Sequence, residues 1–152
     1  MLVTYTRFAA MIATSTVVMF GLMYLNTYAI DHVTFSETRA WMALLMGATM
    51  AVVMMGFMFT MYPKKSANLA IIAVAIVVFA GSLWLVRSQT TVDQVSYMKA
   101  MIPHHSIAIM TSRRAQIDDP RVRELADEII AAQVREIDEM KALIADLEAR
   151  EN

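Results

Sequence analysis

Three long apolar runs occupy residues 8–30, 41–62 and 69–86, and each is nearly free of charge. A helix needs roughly 18–20 predominantly apolar residues to cross a bilayer, and each run supplies them. After residue 90 the pattern changes. Apolar positions now recur at intervals of three and four, as on the buried stripe of an amphipathic helix. Thr91-Val92-Asp93-Gln94 has the form of a capping box and predicts a helix that runs to about Gln116. Asp118-Asp119-Pro120 predicts a turn, with an acidic cap and proline at the first position of a second helix reaching about Ala149. The expected fold is all-α: a three-helix transmembrane anchor over 1–90, then a helical hairpin over 91–152.

The second tail helix admits two seams. One runs through Val122, Ala126, Ile129, Met140, Leu143 and Leu147, and its continuation between Ile129 and Met140 lands on Gln133 and Glu136. The other runs through Ala126, Ile130, Gln133, Ile137, Met140 and Ile144. Either way a polar residue enters a packed seam, where leaving it unpartnered costs about 1–3 kcal/mol. Gln133 is then either a ligand or support for one, or a polar residue that fixes the register of a helix interface. Two helices of this size do not make a self-sufficient core, so the tail is expected to complete a four-helix bundle by self-association, a homodimer in the simplest case.

Charge sharpens the division. Residues 91–152 hold 8 Lys/Arg and 12 Asp/Glu, a net of −4, whereas residues 1–90 hold 5 and 2, a net of +3. The first run is too long for the roughly 7–15-residue core of a signal peptide and reads as a retained helix. Arg7 and the pair Lys64–Lys65 fall on one side of the three spans; Arg39, Arg87 and Lys99 fall on the other. The counts near the helix ends tie, and the short loops favour the N-terminus and Lys64–Lys65 in the cytoplasm with the tail outside it, in a multi-pass protein of the inner (cytoplasmic) membrane. An acidic tail without a phosphate-binding loop or a nucleophile motif gives no support to nucleic-acid binding or nucleotide hydrolysis.

Methionine carries the chemical signal. Met42, Met46, Met50, Met54 and Met58 recur every four residues in the second run, with Met55 and Met61 beside them. A four-residue step turns about 400°, so the row winds slowly around the helix. It reads first as flexible filler for helix packing, and second as a thioether ladder for soft cations, whose spacing is similar to that of membrane copper transporters. Gly47 and Gly56 are candidates for close helix contact. In the loop between the first two runs, His32 stands with Asp31 and Glu37 and matters only if that loop faces the tail.

The tail begins with Met98-Lys99-Ala100-Met101-Ile102-Pro103-His104-His105, followed by Met110, and its second helix carries Gln133, Glu136 and Met140. Both His104 and His105 lie within about 60° of Met101 on an ideal helix, with Met98 on that side and Met110 nearly opposite. Met110 joins them only through distortion at Pro103 or through a second chain. Imidazole with thioether, and no cysteine in the chain, suits Cu(I) better than Mg, Ca or Mn.

The string from Met101 to Met110, together with Asp119-Pro120, Leu125-Ala126, Ile129-Ile130, Gln133, Glu136-Ile137 and Met140, resembles the family catalogued as domain of unknown function 305. The resemblance covers roughly residues 92–145. It implies a ferritin-like helical fold and an extracytoplasmic place, with copper binding or metal tolerance in some members. Carried over by position, it implies ligands at His104, His105, Met101, Met110 and Met140, with Gln133 and Glu136 as polar support. Many members hold two copies of the hairpin; this chain has one.

The resulting expectation is a membrane-anchored metal-binding protein that sequesters copper or passes it between a donor and an acceptor protein. The alternative is a structural or assembly subunit of a larger membrane complex, without metal chemistry. Enzymatic activity is not expected: a ferritin-like oxidase wants Glu-x-x-His pairs, and neither His104 nor His105 has a Glu three residues before it. Topology is directly testable. A reporter fused after Asn152 should be active when it is of the type that works outside the cytoplasm. Activity confined to a cytoplasmic reporter reverses the orientation.

Overall fold

In the computed structural model, which describes residues 4–151, the chain forms five α-helices: α1 (Tyr5–Leu22), α2 (Glu37–Met58), α3 (Lys65–Ser88), α4 (Gln94–Arg114) and α5 (Pro120–Glu151). A 3₁₀ turn (Ile30–His32) lies between α1 and α2. By backbone proximity these elements sort into two units, one of residues 1–23 and 38–91, the other of residues 24–37 and 92–152.

In the first unit, α1, α2 and α3 are each long and apolar enough to cross a membrane. Most of their apolar surface faces outward, the reverse of a water-soluble bundle. Phe8, Ala51, Met55, Tyr62 and Ala75 form the buried centre. Of the methionines in α2, Met55 is fully buried while Met54 and Met58 pack partly against this centre. Gly47 allows the closest approach, since a Cβ there would overlap Thr16 Oγ1; Gly56 has open space beside it and serves no such contact. At the α2–α3 turn the buried Asn68 amide donates to Phe59 O at 2.9 Å and its Oδ1 accepts from Tyr5 Oη at 2.9 Å.

The helix ends follow polar bonding rather than apolarity. The first apolar run continues to residue 30, yet α1 stops at Leu22. Arg39 Nη1 donates to the Met23 carbonyl at 2.7 Å, and Thr27 closes a turn on Tyr24 through both its backbone and its hydroxyl. Hydropathy registers the side chains and misses these bonds. The end of α3 is set by Gln89, which takes up the left-handed conformation (φ 54°) and returns its side-chain amide to Val86 O.

The second unit is the hairpin of α4 and α5. Its N-cap is Asp93, two residues beyond the start of the expected capping box: the Asp93 carboxylate accepts from Ser96 N at 2.7 Å. A charged acceptor at the positive end of a helix serves better there than the Thr91 hydroxyl. Asp119 accepts from Arg121 N, and Pro120 opens α5 as expected. The seam consists of Met98, Ile102 and Ile109 against Ile137 and Ile144. This is the second of the two registers. Val122, Leu125, Ile129 and Leu143, most of them assigned to the first, stay exposed in one band about 60° wide along α5.

The loop 24–37, which the sequence pattern leaves with the anchor, packs on this hairpin, and Pro103 explains how. Proline inside α4 has no N–H, so the carbonyl of Lys99, four residues back, loses its helical donor. The Thr34 hydroxyl takes that place and donates to Lys99 O. Nearby, Tyr28 N donates to the buried Ser106 Oγ at 2.7 Å, and Lys141 Nζ pairs with Asp31 Oδ2 at 2.6 Å.

A double-mutant cycle tests this exchange. Thr34→Val should destabilise the hairpin unit by about 1 kcal/mol, the usual net value of one hydrogen bond. In a Pro103→Ala background, where a helical N–H again reaches Lys99 O, the same change should cost clearly less. Additive effects in chemical unfolding would remove Thr34 from this role.

Candidate metal centre

The proline that admits the loop also precedes the two histidines. They follow Pro103 on adjacent positions, 100° apart around α4, so they cannot share one environment. His104 is exposed, whereas His105 is turned toward α5; their ring centroids lie 6.3 Å apart.

His105 lines a groove of about 640 Å³ between α4 and α5, together with Met98, Glu136 and Met140. Its Nδ1 lies 3.1 Å from Glu136 Oε2. The two are close enough for an ion pair, yet the nitrogen is buried and makes no hydrogen bond. Glu136 Oε2 instead accepts from Gln133 Nε2 at 3.3 Å, which explains the polar pair in the seam: Gln133 holds the carboxylate, and the carboxylate faces the imidazole. Burial is the main influence on His105 and lowers its pKa below 6.5; Glu136 opposes that shift and His104 adds to it. The shift favours the neutral ring. Its Nδ1 stands beside a carboxylate oxygen without a hydrogen bond, an arrangement that a cation held by both groups would satisfy.

Of the eight candidate residues, the groove thus gathers Met98, His105, Glu136 and Met140, with Gln133 joined through Glu136. Met101, His104 and Met110 do not line it; Met101 and Met110 are half-buried elsewhere on α4. Glu139 and Asp146 also line the groove, although among the described residues no three of His, Cys, Asp or Glu are close enough to form a ligand cluster.

A third histidine joins the hairpin: His32, which by sequence matters only if its loop faces the tail. His32 does face the tail: its Nδ1 lies 2.9 Å from Ser106 Oγ, and Asp31 beside it is paired with Lys141. Burial lowers the His32 pKa, with Lys141 assisting and Asp31 and Asp138 opposing. The one signal available was Pro103, which announces a carbonyl in need of a donor but not which donor arrives.

The family described as Domain of unknown function (DUF305) matches residues 87–152. An uncharacterized protein of Acanthamoeba polyphaga mimivirus is 32% identical over 102 residues, covering 62% of this chain and 67% of its own length. The chain belongs to the DUF305 family. No solved structure matches it. The matched DUF305 segment contains the whole of α4 and α5, and with them every groove residue. The docking loop 24–37 lies outside that segment.

Two histidines with lowered pKa values fix the sign of a pH effect. Below about 6.5 the unfolded chain binds protons that the folded rings resist, so stability falls as pH drops through that value. Thermal unfolding of the full chain in detergent should therefore shift to lower temperature between pH 7.5 and 5.5. A His32→Gln, His105→Gln variant should show a flatter profile. An unchanged slope in that variant would place the effect on other groups.

Proposed function

We propose that this DUF305 protein is a membrane-anchored, extracytoplasmic metal-binding protein, which sequesters Cu(I) or passes it between partner proteins. One observation carries the reading: the buried, unbonded His105 Nδ1 faces Glu136 Oε2 at 3.1 Å in a groove that also presents the Met98 and Met140 thioethers. A neutral imidazole and two neutral, polarizable sulfurs form a soft set suited to Cu(I), while Glu136, steadied by Gln133, offsets the cation's charge. Zinc, by contrast, favours thiolate, imidazole and carboxylate in larger number. His104, Met101 and Met110 stand apart from this groove. In a functional cycle they would serve entry or transfer of the ion, or face a second copy.

The membrane anchor rests on the length and apolar surface of α1–α3. Three crossings would put the α1–α2 loop and the hairpin on the same side of a bilayer, which accords with the bonds between that loop and α4. The exposed band Val122, Leu125, Ile129 and Leu143 supports self-association, a dimer of hairpins in the simplest form. The same band favours the second reading, an assembly subunit whose hairpin docks on another protein of a membrane complex.

Competition titration of the purified full chain with Cu(I) under reducing conditions separates the two. Wild type should bind Cu(I) ahead of Zn(II). His105→Ala should weaken Cu(I) binding by at least tenfold and His104→Ala by much less. Met98→Leu and Met140→Leu should each weaken it while costing under about 1.5 kcal/mol of stability, because they nearly conserve volume. If wild type takes up no Cu(I), the metal reading is wrong and the hairpin is an interface element.

A further inference from the structure

The three-helix unit is wholly cationic. Residues 1–23 and 38–91 contain Arg7, Arg39, Lys64, Lys65 and Arg87 and no Asp or Glu. Lys64 and Lys65 begin α3, whose first turn holds no acidic residue, and both side chains are exposed. Two adjacent lysines are thus left without a counter-charge from their own unit.

The backbone of Lys64 meets Tyr5 at one end of an apolar groove. Tyr5, Phe8, Ile12 and Val17 line it from α1, while α2 and α3 contribute small and branched residues including Ala48 and Val74; its volume is about 740 Å³. Tyr5 joins the groove to Lys64: its hydroxyl, which donates to Asn68 Oδ1, accepts from Lys64 N at 3.3 Å. Thr16 is the one other polar side chain in the lining, and it spends its hydroxyl on Ile12 O at 2.8 Å, which leaves the wall apolar.

The length of the groove decides its occupant. From Tyr5 to Val17 is twelve residues, a rise of about 18 Å. A transmembrane helix from another chain would run along the full hydrocarbon thickness of about 30 Å, whereas one lipid chain occupies a single leaflet, roughly half of that. A groove of leaflet depth, closed to charge along its wall and ending beside the Lys64 backbone at the start of α3, has the form of an anionic lipid: an acyl chain below and a phosphate above.

We propose that this unit holds one anionic phospholipid, with an acyl chain in the α1–α2–α3 groove and its phosphate at Lys64 and Lys65. The proposal rests on the membrane reading of α1–α3 and is independent of the copper site. With the Lys64–Lys65 side in the cytoplasm, the lipid comes from the inner leaflet, where anionic lipids attract juxtamembrane lysines.

The test uses the full chain in detergent, titrated with phosphatidylglycerol or phosphatidylcholine of the same acyl length and read by native mass spectrometry. Phosphatidylglycerol should bind as one retained copy, preferred over phosphatidylcholine. Each of Lys64→Gln and Lys65→Gln should weaken it about fivefold, the value of one juxtamembrane charge. Ala9→Leu with Ala13→Leu, at exposed positions of the wall, should fill the groove and displace both lipids while leaving the fold and Cu(I) uptake intact. Inorganic phosphate at millimolar concentration should not compete. Equal binding of the two lipids, indifference to the lysine changes, or displacement by inorganic phosphate alone would overturn the proposal. So would efficient disulfide cross-linking of two copies through Ala13→Cys, which would make the groove an interface between chains.

Discussion

The hairpin depends on four isoleucines. Ile102 and Ile109 of α4 meet Ile137 and Ile144 of α5, and three of the four are only 1% exposed. Burying one such side chain contributes about 1.5–3 kcal/mol, so this short row outweighs any single polar bond at its margins. It also fixes rotation. With Ile102 and Ile109 inward, α4 must carry His105 to the edge of the seam and His104 out to solvent, because successive residues are 100° apart. With Ile137 inward, Glu136 must lie beside it on the same edge. The meeting of His105 and Glu136 is a geometric result of the isoleucine packing.

Pro103 adds a second constraint to the same helix. A proline in a helix interior ordinarily costs about 3 kcal/mol or more, part of it from the lost hydrogen bond. Here the freed Lys99 carbonyl is taken by Thr34, and the loop that brings Thr34 also brings Tyr28, Asp31 and His32 onto the hairpin. What looks like a defect in α4 is the point at which a segment from earlier in the chain attaches. That loop lies outside the segment matched by the DUF305 family.

Polar groups in this protein are placed where they settle a specific deficit. Asn68 answers the open carbonyl of the α2–α3 turn, Arg39 the end of α1, and Gln133 the Glu136 carboxylate. Two buried nitrogens at the hairpin depart from this, Arg123 Nε and His105 Nδ1, and of these His105 Nδ1 faces a carboxylate oxygen 3.1 Å away. A buried polar atom left open costs free energy, and it persists where something outside the chain completes it or where function needs it open.

Much of this was legible in the sequence. Uninterrupted apolar length predicted α1, α2 and α3, since length and apolarity are local properties. Turn chemistry at Asp119-Pro120 and the recurrence of apolar residues at three and four predicted the hairpin. The motif around Met101–Met110, with its counterpart in the second helix, predicted the family. The choice between the two α5 registers was not legible, because both stripes are apolar and only the fit against α4 distinguishes Ile130 and Ile137 from Ile129 and Leu143. Nor could the sequence say which of two adjacent histidines turns inward, that Met101 and Met110 would stand apart from Met98 and Met140, or that a loop residue 65 positions upstream would supply the hydroxyl for Lys99. Each of these is a contact between segments distant in the chain. Local pattern fixes the elements and their faces, but only packing decides which faces meet.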